Sequence, residues 1–179
     1  MKDIGPTHFI LGMEIKRNNA SKKLCLSRQK YVEGILKRFN MQDCKLVKVS
    51  IHAVTKLYVD QCPKSEEEIE YMVHVPYASA IGCIMNATIF TSPDIAHAVG
   101  VLSRYITTPG KEHWTTIKRV FRCLCGTIGF SICYHGNSED VGVHGFIESD
   151  WNGDIDGRRS TNGYVLKLFG GVVSWMSRK

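Results

Sequence analysis

The chain has little proline, no paired cysteine spacing and no apolar run long enough for a membrane. Its 179 residues include five prolines, sixteen glycines and seven cysteines, with 44% hydrophobic and 22% charged side chains. That balance excludes disorder and a collagen repeat, and the length fits one full domain or two pieces at about 150 residues per domain. The longest apolar stretch, residues 77–90, holds Ser79, Asn86 and Thr88 and falls short of the roughly 20 residues a span needs. The N-terminus carries Asp3 and Gly5-Pro6 where a secretory leader needs apolar residues, and the run from Phe9 to Met13 stops at Glu14. No signal peptide or transmembrane segment is expected, which places the protein inside the cell, in cytoplasm or nucleus.

The cysteines, at positions 25, 44, 62, 83, 123, 125 and 133, form no disulfide framework, so a reducing compartment is expected. Cys123 and Cys125 are two apart near a helix end and do not share a face, and no Cys-x-x-Cys pair exists to chelate zinc. His74, His97 and His113 stand without a nucleophile elbow and read as surface or capping residues. Phosphate-cradling and dinucleotide-binding glycine motifs are missing too.

Charge is present in excess and unevenly spread. The formal net charge is +6. Residues 1–48 hold eleven Lys/Arg against four Asp/Glu, residues 49–75 two against five, residues 76–135 five against two, and residues 136–179 five against six. A basic front segment can meet phosphates and release counterions, or it can be plain solvated surface. Lys16, Arg17, Lys22, Lys23, Lys37 and Arg38 are its candidate nucleic-acid contacts.

Patterning gives an α+β chain. Residues 7–15 and 24–27 read as strands of a hairpin with a basic tip at 16–23. Ser27 is placed to cap a helix to about Phe39, with Tyr31, Ile35 and Phe39 on one face. Residues 43–64 have no sustained period and read as a connector. Ser65 to Glu68 is a capping box for a short helix to about Met72, which Pro76 ends. A buried helix is expected over 77–90, and Ser92-Pro93-Asp94 opens another to Tyr105. After Pro109-Gly110, Trp114, Ile117, Phe121 and Leu124 mark a helical stripe that Gly126 closes. Short strands follow at 130–134, 143–149, 163–169 and 172–176, the last three as an antiparallel meander. Tryptophans 114, 151 and 175, one to an element, read as packing residues rather than base-stacking ones.

The densest acidic group is Glu148, Asp150, Asp154 and Asp156. Glu148 and Asp150, two apart in a strand, project to one face and could form one corner of a Mg²⁺ site, or belong to an aspartate-rich turn. A calcium loop through Asn152, Asp154, Asp156 and Gly157 fails at its twelfth position, Gly163, where glutamate is needed.

Read in order, the words Phe9-Ile10-Leu11-Gly12-Met13-Glu14-Ile15, Leu26-Ser27-Arg28-Gln29-Lys30-Tyr31, Val75-Pro76-Tyr77-Ala78-Ser79-Ala80-Ile81-Gly82, Pro93-Asp94-Ile95-Ala96-His97-Ala98, Pro109-Gly110-Lys111-Glu112-His113-Trp114, Arg158-Arg159-Ser160-Thr161-Asn162-Gly163-Tyr164 and Ser174-Trp175-Met176-Ser177 resemble the Pol polyprotein of copia-type LTR retrotransposons. The resemblance runs nearly the whole length, from the end of the reverse transcriptase into the start of the ribonuclease H. It implies a palm-end and thumb-like piece over 1–62, a helical connection over 63–127 and the first, incomplete antiparallel strands of a ribonuclease H-like sheet over 128–179. The first hairpin would be the primer-grip region, giving the basic segment a reason.

The same resemblance implies what is missing. The polymerase's Tyr-x-Asp-Asp hairpin would precede Met1, and the next nuclease glutamate would follow Lys179. In the run Glu148-Ser149-Asp150-Trp151, Glu148 occupies the family's first ribonuclease H aspartate position. The added methylene moves the carboxylate by more than about an ångström, the scale at which metal geometry fails. Family residues also differ at Ser92, Cys123 and Cys125, where arginine, tyrosine and lysine are usual. The expectation is a retroelement fragment without enzymatic activity and without a cofactor of its own, Mg²⁺ belonging to the intact parent family. The alternatives are a residual binder of RNA–DNA hybrid or nucleic-acid backbone, a secreted effector-like protein, and assembly in trans with a chain that supplies the other acids. No membrane partner is expected.

Overall fold

The computed structural model describes residues 5–51, 55–137, 141–150, 154 and 156–179, the side chain of Asp150 excepted. The architecture is α+β, as the patterning implies, with two antiparallel sheets joined to a helical core.

The first sheet begins with a difference from the sequence reading. Residues 7–15 are not one strand, because Leu11 and Gly12 both take positive φ, 49° and 77°. That is the backbone a two-residue hairpin turn requires, and glycine supplies it without strain. The turn separates β1 (Phe9–Ile10) from β2 (Met13–Asn18), which pairs on its other side with β3 (Lys23–Ser27). Lys16 and Arg17 therefore lie in a strand and not in the tip. The fourth strand, β4 (Ser131–His135), comes from far along the chain and pairs antiparallel with β3, Cys25 opposite Cys133. These two cysteines form a disulfide, which corrects the expectation that no cysteine is paired. The signal was invisible in spacing because the partners are 108 residues apart.

Helix α1 (Gln29–Arg38) follows β3, with Arg28 at the N-cap position. Ser27, expected as the cap, instead lies one residue before it, its hydroxyl accepting from the Gln29 N–H at 3.3 Å. Helix α2 (Glu66–Val73) starts as the capping box implies, the Ser65 hydroxyl accepting from the Glu68 N–H at 3.3 Å. Pro76 precedes α3 (Tyr77–Phe90), whose bounds match the apolar run. The expected helix to Tyr105 is broken into 3-10 turns at both ends around α4 (Ala96–Leu102). Helix α5 (Lys111–Gly126) presents Ile117, Val120, Phe121 and Leu124 to the interior.

One core joins these helices. Val32, Ile35 and Leu36 of α1 meet Ile81 and Ile84 of α3, Leu102 of α4 and Phe121 of α5, and Phe39 stacks on Phe121 with ring centres 4.9 Å apart. Small residues Ala80 and Ala87 sit fully buried on α3, allowing close helix approach. Segments 1–62 and 63–127 thus share a core, and segments 1–62 and 128–179 share the first sheet through the β3–β4 pairing. Among the described residues no single helix is long and apolar enough to cross a membrane.

The second sheet is the expected meander, β5 (His144–Asp150), β6 (Thr161–Leu168) and β7 (Gly171–Arg178). The β6–β7 turn again uses two positive-φ residues, Phe169 and Gly170. Gly171 must be glycine for another reason, since a Cβ there would lie 2.5 Å from the Tyr134 ring of β4. The Tyr134 hydroxyl donates to the Val172 carbonyl at 2.8 Å, and the Trp175 indole donates to the Thr88 carbonyl at 2.9 Å. Between β7, α3, α4 and the inner face of the first sheet lies a cavity of about 590 Å³. Met13, Leu26, Met85, Val99 and Trp175 line it, an apolar seam rather than a set of convergent polar groups.

Candidate functional site

The basic residues divide by strand register. Paired residues of an antiparallel sheet share a face, and neighbours along a strand alternate. Met13 and Ile15 are buried, so their face is the inner one, and Arg17 belongs to it at the strand's outer end. Lys16 and Lys23 belong to the opposite, solvent face, together with Glu14, His135 and the Cys25–Cys133 bridge. Lys16 pairs with Glu14 at 3.5 Å, while Arg17 donates to the Thr7 carbonyl. Lys22 occupies the tip with φ of 47°, and its carbonyl accepts from the Gly136 N–H at 2.8 Å.

Lys37 and Arg38 are not part of this cluster by contact. They end α1, where cations complement the helix dipole. Arg38 reaches the Cys83 thiol of α3 at 3.8 Å and lies over the Phe39 ring. The structure therefore assembles Lys16, Lys22 and Lys23 about one hairpin, sets Arg17 at its rim, and leaves the other two on a helix end.

The acidic group divides more sharply. Glu148 lies on β5 opposite Gly163 with its side chain exposed. Asp150 is placed on the same strand opposite Thr161, but its side chain lies outside the described residues, as do Trp151 and Asn152. Asp154 is committed elsewhere. Its side chain is 2% exposed and receives Arg104 and Lys179 together with the Gly157 N–H at 2.7 Å. Burial alone would raise this carboxyl; the hydrogen bonds from Lys179, Arg104 and Gly157 more than offset that and hold it at about 2. Asp156 accepts from the Val59 N–H at 2.9 Å and from the Tyr105 hydroxyl at 3.1 Å.

Asp154 and Asp156 thus fasten the turn before β6 to the 3-10 turns at 59–61 and 103–105. Neither presents free oxygens to a cation, so the calcium-loop geometry does not form from them. Among the described residues no group of three or more His, Cys, Asp or Glu could hold a metal ion. The described donors do not fit a Mg²⁺ centre, which needs about six oxygen ligands in near-octahedral array.

His113, which the sequence reads as a surface or capping residue, is fully buried. The capping part of the reading stands: its Nδ1 accepts from the Gly110 N–H at 2.8 Å, which leaves Nε2 as the protonated nitrogen, buried on the side of the Tyr58 backbone. The ring stacks on Tyr105 at 4.0 Å between centres. Burial lowers His113 to about 4 and pushes the Tyr105 phenol up. His74 and His97 are exposed as expected.

Sequence reasoning missed Arg28. This side chain is 5% exposed and has no carboxylate partner among the described residues; it donates to the Asn86 carbonyl at 2.8 Å and to Asn86 Oδ1 at 2.6 Å. Its guanidinium lies 3.9 Å from the Tyr31 ring centre and 4.8 Å from that of Phe90. It joins the end of the first sheet to α3, a role that no local spacing signals.

No protein-family model and no solved structure matches the chain. It is 47% identical over 178 residues to the retrovirus-related Pol polyprotein from transposon TNT 1-94 of Nicotiana tabacum, covering 99% of this chain and 13% of that protein. It is 33% identical over 179 residues to the corresponding polyprotein from transposon RE2 of Arabidopsis thaliana, covering all of this chain and 12% of that one. A third relative, the secreted RxLR effector protein 161 of Plasmopara viticola, is 46% identical over 110 residues, or 60% of this chain and 75% of that protein. The chain spans about an eighth of the length of the Pol polyproteins it matches. It belongs to the retrovirus-related Pol polyproteins of transposons.

Proposed function

We propose that this retrotransposon-derived chain is a copia-type segment running from the end of a reverse transcriptase into the first strands of a ribonuclease H, and that these 179 residues catalyse neither polymerisation nor hydrolysis. One observation carries the reading: two of the four clustered acids, Asp154 and Asp156, serve as docking groups for arginine, lysine, tyrosine and backbone N–H. Two-metal phosphodiester chemistry needs several free carboxylates converging on ions about 4 Å apart. Glu148 stands as an exposed acid on β5, one methylene longer than the aspartate that the family resemblance puts there. The test is incubation of the homogeneous chain with Mg²⁺ and a labelled RNA–DNA hybrid. No cleavage above buffer is expected; specific cleavage that Glu148→Ala abolishes would overturn the proposal.

A second reading, retained nucleic-acid binding, is favoured by the exposed lysines of the first hairpin. Lys16 and Lys23 on one face, with Lys22 at the tip and Arg17 at the rim, suit a phosphate backbone such as that of an RNA–DNA hybrid. A titration across salt concentrations separates this from plain surface, because neutralised phosphates make affinity fall steeply with salt. The effector name belongs to the Plasmopara viticola relative. For this chain we infer cytoplasm or nucleus; the five free thiols favour a reducing compartment, and the Cys25–Cys133 bridge weighs against it.

A further inference from the structure

The connector after α1 runs along α5 and is tied to it by side chains of the helix. Arg122 Nε donates to the Lys45 carbonyl at 2.6 Å, and Arg119 Nε to the Val49 carbonyl at 3.1 Å. The Val47 N–H reaches the Arg122 carbonyl at 3.5 Å, and the Cys125 thiol reaches the Gln42 carbonyl at 3.5 Å. This lacing brings Cys44, two residues beyond Gln42, against the last turn of α5. Cys44 lies between Gln42, which accepts from the Cys125 thiol, and Lys45, which accepts from Arg122, so Cys44 and Cys125 are neighbours across this seam; both side chains are half-buried, and neither belongs to the Cys25–Cys133 bridge.

From this juxtaposition we propose that Cys44 and Cys125 are a redox-active dithiol that closes to a second disulfide by exchange with a low-molecular-weight disulfide. One cysteine thiolate attacks a sulfur of the small disulfide, forming a mixed disulfide and releasing one small thiolate. The other cysteine thiolate then attacks the protein-bound sulfur and releases the second. Two protein S–H groups become one S–S bond, and one small S–S bond becomes two thiols, so electrons and protons balance. Half-burial leaves room for a small oxidant to reach the pair. Burial and the adjacent Cys125 thiol raise Cys44, so the step requiring its thiolate accelerates as pH rises.

Cys123 provides the internal comparison. It is buried and directs its thiol to the Lys48 carbonyl at 3.9 Å, so it stays outside the exchange. Closure would fasten the connector covalently to the helix it already lies against. The proposal rests on these contacts and not on the chain's transposon ancestry.

The experiment uses the full chain with native cysteines, equilibrated against oxidised and reduced glutathione at graded ratios, then blocked and mapped by mass spectrometry. The expected result is an intramolecular peptide linkage from Cys44 to Cys125, with loss of two hydrogens. It should rise with the glutathione ratio and persist in Cys123→Ser, and Cys44→Ser or Cys125→Ser should leave a mixed disulfide with glutathione on the remaining cysteine. Failure of the native chain to form the linkage at the most oxidising ratio would overturn the proposal. So would a linkage to Cys123, or one found only between two chains. The native-chain measurement decides the matter even if a serine variant folds poorly.

Discussion

Removing the Asp154 carboxylate should loosen the second sheet from the helical core. Asp154 is 2% exposed, and it binds Arg104 from the 3-10 turn after α4 and Lys179 from beyond β7, two segments separated by most of the C-terminal sequence. Its carboxyl is held at about 2 against an ordinary 3.8. A shift of that size corresponds to roughly 1–2 kcal/mol once solvent screening near the partly exposed cations is allowed for. Because the folded value is depressed, the contribution is complete above about pH 4 and lost as pH falls toward 2. Arg104 and Lys179 keep 26% and 29% side-chain exposure, so both can rehydrate when their partner is removed. The loss should therefore stay below the roughly 3–5 kcal/mol of a fully buried broken pair. Urea unfolding of Asp154→Asn beside the native chain, at pH 6 and again near pH 2.5, measures this directly. A deficit of about 1–2 kcal/mol at pH 6 that shrinks at pH 2.5 is expected. Equal stability at pH 6, or a deficit that does not change with pH, would refute the reasoning.

Other perturbations separate the remaining contacts. His113 is buried neutral near 4, so protons favour the unfolded chain between about pH 6.5 and 4, and stability should fall by about 3 kcal/mol across that window; urea midpoints of His113→Gln should be flatter there. Reducing Cys25–Cys133, or replacing Cys25 with serine, removes a constraint on a loop closed across 108 residues, and chain entropy sets a ceiling of about 4–5 kcal/mol on the loss seen in thermal melts. A Cβ at Gly110 would collide with the Gln61 carbonyl, so Gly110→Ala should lower the urea midpoint by about 1–3 kcal/mol equivalent. If the first hairpin grips a hybrid, Lys16→Ala with Lys23→Ala should weaken binding and flatten the log-affinity against log-salt slope by about 2.

Much of this fold was legible because local rules agreed with the outcome. The Ser65 capping box, Pro76 and the apolar run from Tyr77 to Phe90 gave helices near their observed bounds. The final three strands formed the meander that their turn residues implied. What local pattern could not show was pairing at a distance. β4 resembles a member of the C-terminal strands in sequence, yet its partner is β3, and the Cys25–Cys133 bridge exists only through that pairing. The split of residues 7–15 at Leu11-Gly12 was written in the glycine, but a single apolar run concealed it. The acids at 154 and 156 looked like possible ligands because composition alone does not reveal that Arg104, Lys179, Tyr105 and Val59 meet them. His113 sat on the buried stripe of α5, and its burial follows from the position beside Ile117 that the helical period already defined.

The most direct test of whether this chain builds a metal centre of its own is Mn²⁺ binding followed by electron paramagnetic resonance, with the ion standing in for Mg²⁺. With Asp154 and Asp156 held by cations and N–H groups, titration should show weak, unsaturated uptake that Glu148→Ala leaves unchanged. A saturable, stoichiometric Mn²⁺ site lost in Glu148→Ala would contradict the account.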